Sequence, residues 1–276
     1  MPPSVQPGQR CAVLGSPIAH SLSPVLHGAA YAELGLDWTY EAIEVDEDGL
    51  AEFLAGLGDD WRGLSLTMPL KRVAMELVER CSEVATVVGS VNTILLGPEE
   101  GRGVGDNTDV PGAVAALREG GLDDLRTARI VGGGATATSI AYALSSLGVT
   151  DLEIVVRDAS RAEVAVEVAR KAGVDVTVLS FDHPFLQKVD LLASTVPADV
   201  VESRSAELVE TSRAVFDVAY HPWPTPLATT AEEASLAVVT GLDLLVQQAA
   251  LQVELMTGSS VDPEMLRTVA HSALAT

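Results

Sequence analysis

The chain of 276 residues is 47% hydrophobic and 20% charged, enough for one large domain or two ordinary ones with well-filled cores. Its formal charge of −22 leaves no basic stripe to neutralise phosphates, which argues against a nucleic-acid partner and makes small molecules the expected ligands. The opening "MPPSVQPGQR" has no apolar signal core, and no later run is long and apolar enough to cross a bilayer; a cytoplasmic protein without a membrane partner, monomer or homodimer, is expected.

Short apolar runs alternate with stretches of helical period, the pattern of parallel sheets covered by helices, so the fold class is α/β. In the first half "RCAVLG", "WTYEAIEV" and "RGLSLT" read as strands, with helices beginning near Pro24, Asp48 and Pro69. "SVNTILLG" closes a further strand before a turn at "GPEEGRG". From Ala128 onward "ARIVGGG", "LEIVVRD", "VDVTVLS", "VDLLAST", "AVFDVAY" and "ASLAVVT" give six strands separated mostly by helical segments, as in one doubly wound sheet. "GLDLLVQQAALQVELMTG" then reads as a long helix with Leu244, Leu245, Gln248, Leu251 and Leu255 close to one face, able to pack back on the first half.

Gly132, Gly134 and Ala137 fall in GxGxxA spacing directly after a strand and at the start of a helix rich in small residues. There the first glycine permits a tight turn, the second lets a pyrophosphate approach the backbone, and the alanine allows close helix packing beside an anion-attracting helix N-terminus. The following strand ends "VVRDASR". Arg157 and Arg161 suit the 2′-phosphate of NADP, whereas Asp158 would suit the free 2′-hydroxyl of NAD; NADP is the expected cofactor.

Only three lysines accompany fourteen arginines, and one of them, Lys71, ends "SLTMPLK". Arginine stays protonated in proteins while lysine can be tuned to exchange a proton, so a lysine in so lysine-poor a chain is a candidate for chemistry. Thr67 as cap and Pro69 in the first turn would place Lys71 at the positive end of a helix dipole, which disfavours its charged form. Asp109 in "GDNTDVPG" is either functional or a cap for the helix after it, and Asn92 in "GSVNTIL" either functional or a turn residue. In "HSLSPVLH", Ser23 suits an N-cap, and Ser21 and Ser23 together could hold a carboxylate at the helix N-terminus. His20 and His27 lack metal-ligand spacing, as do Cys11, in a strand-like run, and Cys81, at the end of a helix-like one; all four read as structural and no metal is expected.

Taken together, "SPIAHSLSP", "SLTMPLK", "GSVNTI", "GDNTD", the Gly-rich turn, "DVAYHPWPTPL" and "GLDLLVQQA" resemble the shikimate dehydrogenase family, with a look similar to its actinobacterial members, in content, order and spacing over most of the chain. The resemblance implies two α/β domains: a substrate-binding and catalytic domain of residues 1–108 with 241–276, and a dinucleotide-binding Rossmann domain of residues 109–240, with the active site in the cleft between them. It implies NADP-dependent, reversible reduction of 3-dehydroshikimate to shikimate in the chorismate pathway of aromatic amino acid biosynthesis. Lys71 and Asp109 match the catalytic pair, the lysine supplying a proton to the developing alkoxide and the aspartate orienting hydroxyl and lysine. Ser21 and Ser23 match the carboxylate-binding serines, Thr67, Asn92 and Gln248 residues around the ring hydroxyls, and Tyr220 the tyrosine of the family's DxxY segment. Cofactor contacts fall at Gly132, Gly133, Gly134, Ala135, Thr136 and Ala137, at Arg157, Asp158 and Arg161, and at Thr195, Val218 and Gly241, the last two beside the nicotinamide.

The chain departs from the family pattern at four places. Ser65 stands where NVT has asparagine, "GGGAT" where GAGGA is usual, "VRD" where NRT is usual, and Leu244 where a methionine is usual. A quinate/shikimate dehydrogenase using NAD, or an NADP-binding module without catalysis, are the alternative readings.

Overall fold

The computed structural model describes residues 8–97 and 103–274, so most of the turn expected at "GPEEGRG" lies outside the described residues. In chain order the elements are β1 (Arg10–Gly15), α1 (Ser23–Glu33), β2 (Thr39–Glu44), α2 (Leu50–Ala55), β3 (Trp61–Leu66), α3 (Ala74–Leu77), β4 (Arg80–Cys81), α4 (Glu83–Val88), β5 (Thr93–Leu95), β6 (Val104–Asp106), α5 (Asp109–Glu119), β7 (Thr127–Val131) and α6 (Ala135–Ser146). There follow β8 (Asp151–Val156), a 3-10 turn (Ala159–Ala162), α7 (Glu163–Lys171), β9 (Asp175–Ser180), β10 (Leu191–Ser194), α8 (Ala198–Glu202), α9 (Ser205–Glu210), β11 (Ala214–Asp217), α10 (Pro226–Glu233), β12 (Ala237–Thr240), α11 (Gly241–Thr257) and α12 (Pro263–Leu274). The chain forms two compact units, Met1–Thr108 with Leu245–Thr276, and Asp109–Leu244, so the boundary runs through α11.

In the first unit the strand order is β2-β1-β3-β5-β6-β4, with β1 parallel to both its neighbours and β5 antiparallel to β3 and β6. Side chains of a strand alternate between faces, and β1 uses both: Ala12 and Leu14 join a core with Leu50, Leu64, Leu66 and Ile94, while Cys11 and Val13 join Tyr31, Tyr40 and Met256. That is why "RCAVLG" reads as a continuous apolar run, the mark of a strand covered on both sides.

In the second unit the order is β12-β11-β10-β7-β8-β9, with every neighbouring pair parallel. This is the doubly wound arrangement of two βαβαβ halves, whose direction of winding reverses between β7 and β10. All six strands expected after Ala128 are present. Arg129 of β7 is fully buried, and its charge is satisfied by Glu153 at 2.7 Å, Thr211 Oγ1 at 2.7 Å and Gln187 O at 2.9 Å, as burial of a cation requires.

Three local expectations are corrected. No helix starts at Pro69: residues 68–73 form turns, and α3 comprises only Ala74–Leu77, so Thr67 caps nothing and Lys71 does not sit on a helix dipole. The Thr67 carbonyl accepts from Leu70 N–H at 2.9 Å and the Lys71 carbonyl from Val91 N–H at 2.7 Å, which draws the segment toward β5 instead of into a helix. Cys81 lies in the two-residue β4, paired with β6; strands this short carry no readable alternation, and neither was expected. On α11, Leu255 is exposed and the buried stripe runs through Leu245, Ala249, Gln252, Val253 and Met256, spacings of four, three and one that keep a single face inward.

Candidate active site

The first unit gathers a polar patch at the ends of β3 and β5. Asn92, 1% exposed, is its centre: its backbone N–H donates to Asp106 O at 3.0 Å and its carbonyl accepts from Leu66 N–H at 2.7 Å. Its side-chain Oδ1 accepts from Thr108 N–H at 2.8 Å and from Thr93 Oγ1 at 2.9 Å, which fixes the amide orientation and directs Nδ2 to Thr108 Oγ1 at 3.0 Å and Gln248 Oε1 at 3.3 Å. Asn92 is therefore a wired residue and no mere turn former. The Lys71 turn is tied to its neighbour Val91, and Thr67 follows β3 with its N–H on Leu14 O at 2.9 Å. A Cβ at Gly15 would collide with Thr67 Cγ2, so the glycine is what lets the threonine lie against β1.

The serine loop joins this patch through Ser16, whose N–H donates to Met68 O at 3.0 Å. Ser23 is not the N-cap expected of it. Leu22 holds that position without a side-chain cap bond, Ser23 is the first helical residue with Pro24 next, and Ser21 Oγ accepts from Ser23 N–H at 3.3 Å. Pro24 thus stands second in the helix, within the first turn, where its missing N–H costs no intrahelical bond. His27 is fully buried, stacked on Tyr40 at 3.9 Å between ring centroids and facing Gln252 Oε1 at 3.4 Å; burial drives its pKa down to about 3, against which the Gln252 contact acts weakly. Its structural role is as expected.

Asp109 opens α5 as its first residue, 2% exposed, directly after the Thr108 that Asn92 holds. It belongs to the second unit, as does Tyr220, half-buried in the segment after β11. That segment is closed by Asp217, whose carboxylate accepts from Thr225 Oγ1 at 2.5 Å and from Ala219 N–H at 3.3 Å; burial raises its pKa above the usual carboxylate value. A Cβ at Gly241 would overlap the carbonyl of Val218, so these two backbones touch where β11 and β12 end.

The glycines after β7 divide the work. Gly132 has φ of +119° and faces Thr195, whose Oγ1 donates to Val131 O at 2.9 Å, so turn and switch point are locked together. A Cβ at Gly133 would overlap the Arg161 carbonyl, which fixes the 3-10 turn against the glycine turn. At Gly134 a Cβ would meet nothing within 4 Å, and Gly134 is the N-cap of α6, which therefore starts without a side-chain cap bond. Ala135 and Thr136 begin the helix and Ala137 is fully buried against the sheet. An open backbone, a twelve-residue helix without a side-chain cap and two exposed arginines, Arg157 and Arg161, are the donor set a phosphorylated dinucleotide requires. Asp158 caps the 3-10 turn, accepting from Ser160 N–H at 3.0 Å, and this bond, then the Ser160 hydroxyl and the Arg161 charge, hold its carboxyl below the usual range.

Residues 13–94 match the family described as "Shikimate dehydrogenase substrate binding domain". The chain is 37% identical, over 96% of its own length and 98% of the relative's, to a shikimate dehydrogenase (NADP(+)) of Thermus thermophilus. The chain belongs to the shikimate dehydrogenase family. Its fold matches the crystal structure of Mycobacterium tuberculosis shikimate dehydrogenase with TM-score 0.88 and 37% identity, covering 96% of this chain and 99% of that one. It also matches a shikimate 5-dehydrogenase from Thermus thermophilus in complex with NADP(H) and shikimate, with TM-score 0.84 and 34% identity over 96% and 100%.

Beside the family positions stand residues the sequence did not single out. Gln252, 3% exposed, bonds Ser65, Thr93 and Asn92; Thr108 sets the Asn92 amide; Asp217 and Thr225 close the Tyr220 segment. Gln252 had a signal: a glutamine in an apolar stripe, four residues after another, leaves a buried polar group in need of partners. Among the described residues no helix is long and apolar enough to cross a membrane, and no group of three His, Cys, Asp or Glu side chains could hold a metal.

Proposed function

We propose that the chain is an NADP-dependent shikimate dehydrogenase that reversibly reduces 3-dehydroshikimate to shikimate for aromatic amino acid biosynthesis, in the cytoplasm, as a monomer or homodimer. The reading is supported by the name of its relative at 37% identity across nearly the whole chain. The observation that carries it is the Asn92 patch: Asn92 Nδ2 donates to Gln248 Oε1 at 3.3 Å, and Val91, the residue before Asn92, donates its N–H to the Lys71 carbonyl at 2.7 Å, so three separately read motifs meet in one patch.

Ser21 and Ser23 bind the carboxylate, and Thr67, Asn92, Gln248 and Tyr220 surround the ring hydroxyls. Lys71 gives its proton to the carbonyl oxygen as charge grows there, and recovers it in the reverse reaction. Asp109, buried at the start of α5, orients the reacting hydroxyl and the lysine. Residues 1–108 with 241–276 take the substrate and residues 109–240 the cofactor. Gly132 to Ala137 receive the pyrophosphate, Arg157 and Arg161 the 2′-phosphate, Thr195 makes a further cofactor contact, and Val218 and Gly241 take the nicotinamide end. Bound there, NADP would supply hydride in one direction and accept it in the other.

The test is a steady-state assay crossing shikimate and quinate with NADP and NAD. Shikimate with NADP should give the highest kcat/KM. No turnover of any pair would return the chain to a binding module, and a preference for quinate with NAD would make it the quinate-type enzyme.

A further inference from the structure

Gln252 occupies a position on α11 where the stripe otherwise carries Leu245, Ala249, Val253 and Met256. An apolar residue is the default there, because a buried carboxamide is stable only when its donors and acceptors are met. All of them are. Oε1 accepts from Ser65 Oγ at 2.9 Å and faces His27 Nε2 at 3.4 Å; Nε2 donates to Thr93 Oγ1 at 3.0 Å and reaches Asn92 O at 3.4 Å.

The directions of these bonds agree with one another. Tyr31 Oη lies 3.5 Å from His27 Nδ1, which as the acceptor of that hydroxyl leaves the ring proton on Nε2, facing Gln252. Tyr40 donates to Ser65 Oγ at 2.6 Å, leaving the serine proton for Gln252 Oε1. Onward, Thr93 Oγ1 donates to Asn92 Oδ1. Ser65 and Thr93 are directly opposed across the β3–β5 pair, and Gln252 bridges them, fastening α11 to both strands.

Gln248 lies four residues earlier on α11, on the same face as Gln252. Its contact with Asn92 Nδ2 is 3.3 Å, at the long end of a hydrogen bond, so a small slide or rotation of the helix breaks it. We propose that Gln252 is a positioning residue of the substrate pocket, setting the register of α11 on β3 and β5 so that Gln248 meets Asn92. The proposal rests on the functional reading given above, in which Gln248 and Asn92 contact the ring hydroxyls.

Gln252→Leu should raise the KM for shikimate about tenfold while kcat falls less than threefold and NADP affinity, read by fluorescence titration, is unchanged. Gln248→Ala should raise KM by itself, and adding Gln252→Leu to it should cost less than a further twofold, since the second residue acts through the first. Multiplying effects, or a folded Gln252→Leu with KM within twofold of wild type, would overturn the proposal. Ser65→Ala, which removes one bond to Gln252 and leaves its volume in place, decides the matter if Gln252→Leu does not fold: a rise of about threefold in KM supports the register role, no change refutes it. The side-chain amide resonances of Asn92 and Gln248 give a readout without activity. They should move in Gln252→Leu even if wild type turns over no shikimate, in which case the functional reading alone has failed; unmoved resonances sink the positioning role.

Discussion

Replacing His27 by Phe should remove a pH dependence of stability from the first unit. The imidazole is fully buried between Tyr40, Tyr31 and Gln252, and burial lowers its pKa from 6.5 to about 3. A folded-state pKa below the unfolded one means that the unfolded chain binds the extra proton between those limits. Stability is then complete above the unfolded pKa and is lost as pH falls toward the folded one. At about 1.4 kcal/mol per unit, a drop of this size corresponds to ~5 kcal/mol over the whole interval and ~2 kcal/mol between pH 7 and pH 5, where few carboxylates titrate. Tyr31 and Tyr40 are pushed upward by burial, and Cys11 to about 11, so none of these neighbours titrates in the window. Urea unfolding at pH 7, 6 and 5 measures it in a Trp223→Phe background, where the fluorescence comes from Trp38 and Trp61 of this unit, so that the two units need not unfold together. Phe keeps the stack on Tyr40 and loses the bonds to Tyr31 and Gln252, so its stability at pH 7 should fall by about 1–2 kcal/mol. The refuting result is a wild type and a Phe variant that lose equal stability from pH 7 to pH 5.

Lys71→Ala should lower turnover at least about a hundredfold, the scale of a lost acid–base group, with much less change in substrate affinity; near-normal turnover would remove it from the mechanism. Ser21→Ala combined with Ser23→Ala should chiefly raise the KM for shikimate, because a carboxylate contact is remote from the reacting carbon; an unchanged KM in the folded variant returns both to structural roles. Arg157→Ala should erase most of an NADP-over-NAD preference of about ten- to a hundredfold, the size of a charge-assisted phosphate contact, without greatly altering shikimate affinity. A wild type that favours NAD contradicts the last expectation.

The second unit was readable because β7, β8, β10 and β11 are largely buried apolar runs and every connection except that between β9 and β10 carries a helix, so periodicity yields β7 to β12 in order. The first unit was readable in part. β1 and β3 are buried apolar runs and β2, largely exposed, lies between two helices, while β4 and β6, of two and three residues, exist through pairing with each other and β5, which no local pattern encodes. The segment after Thr67 has helical composition, yet its carbonyl at Lys71 is taken by Val91 N–H, a contact twenty residues away in sequence that outweighs propensity. Asn92 and Gln248 were visible as motif residues, whereas Gln252 showed only as a polar residue in an apolar stripe, and its partners Ser65, Thr93 and His27 come from elements no local pattern brings together.

Asp158 posed the sharpest conflict in the sequence, since an acidic residue at that strand end accepts from a free ribose hydroxyl and repels a phosphate. Its surroundings give the carboxylate another task. Ser160 N–H at 3.0 Å occupies one oxygen, and the turn that this bond caps passes its Arg161 carbonyl against Gly133. The aspartate thereby holds the turn that carries Arg161, and that turn bears on the glycine backbone proposed to receive the pyrophosphate. Rotating Asp158 toward a ribose would uncap the turn and release both contacts, which sets a cost against the NAD-like arrangement. With Arg157 and Arg161 exposed on either side, the local field at this strand end is that of two guanidinium groups and one carboxylate already engaged, which favours the additional phosphate of NADP.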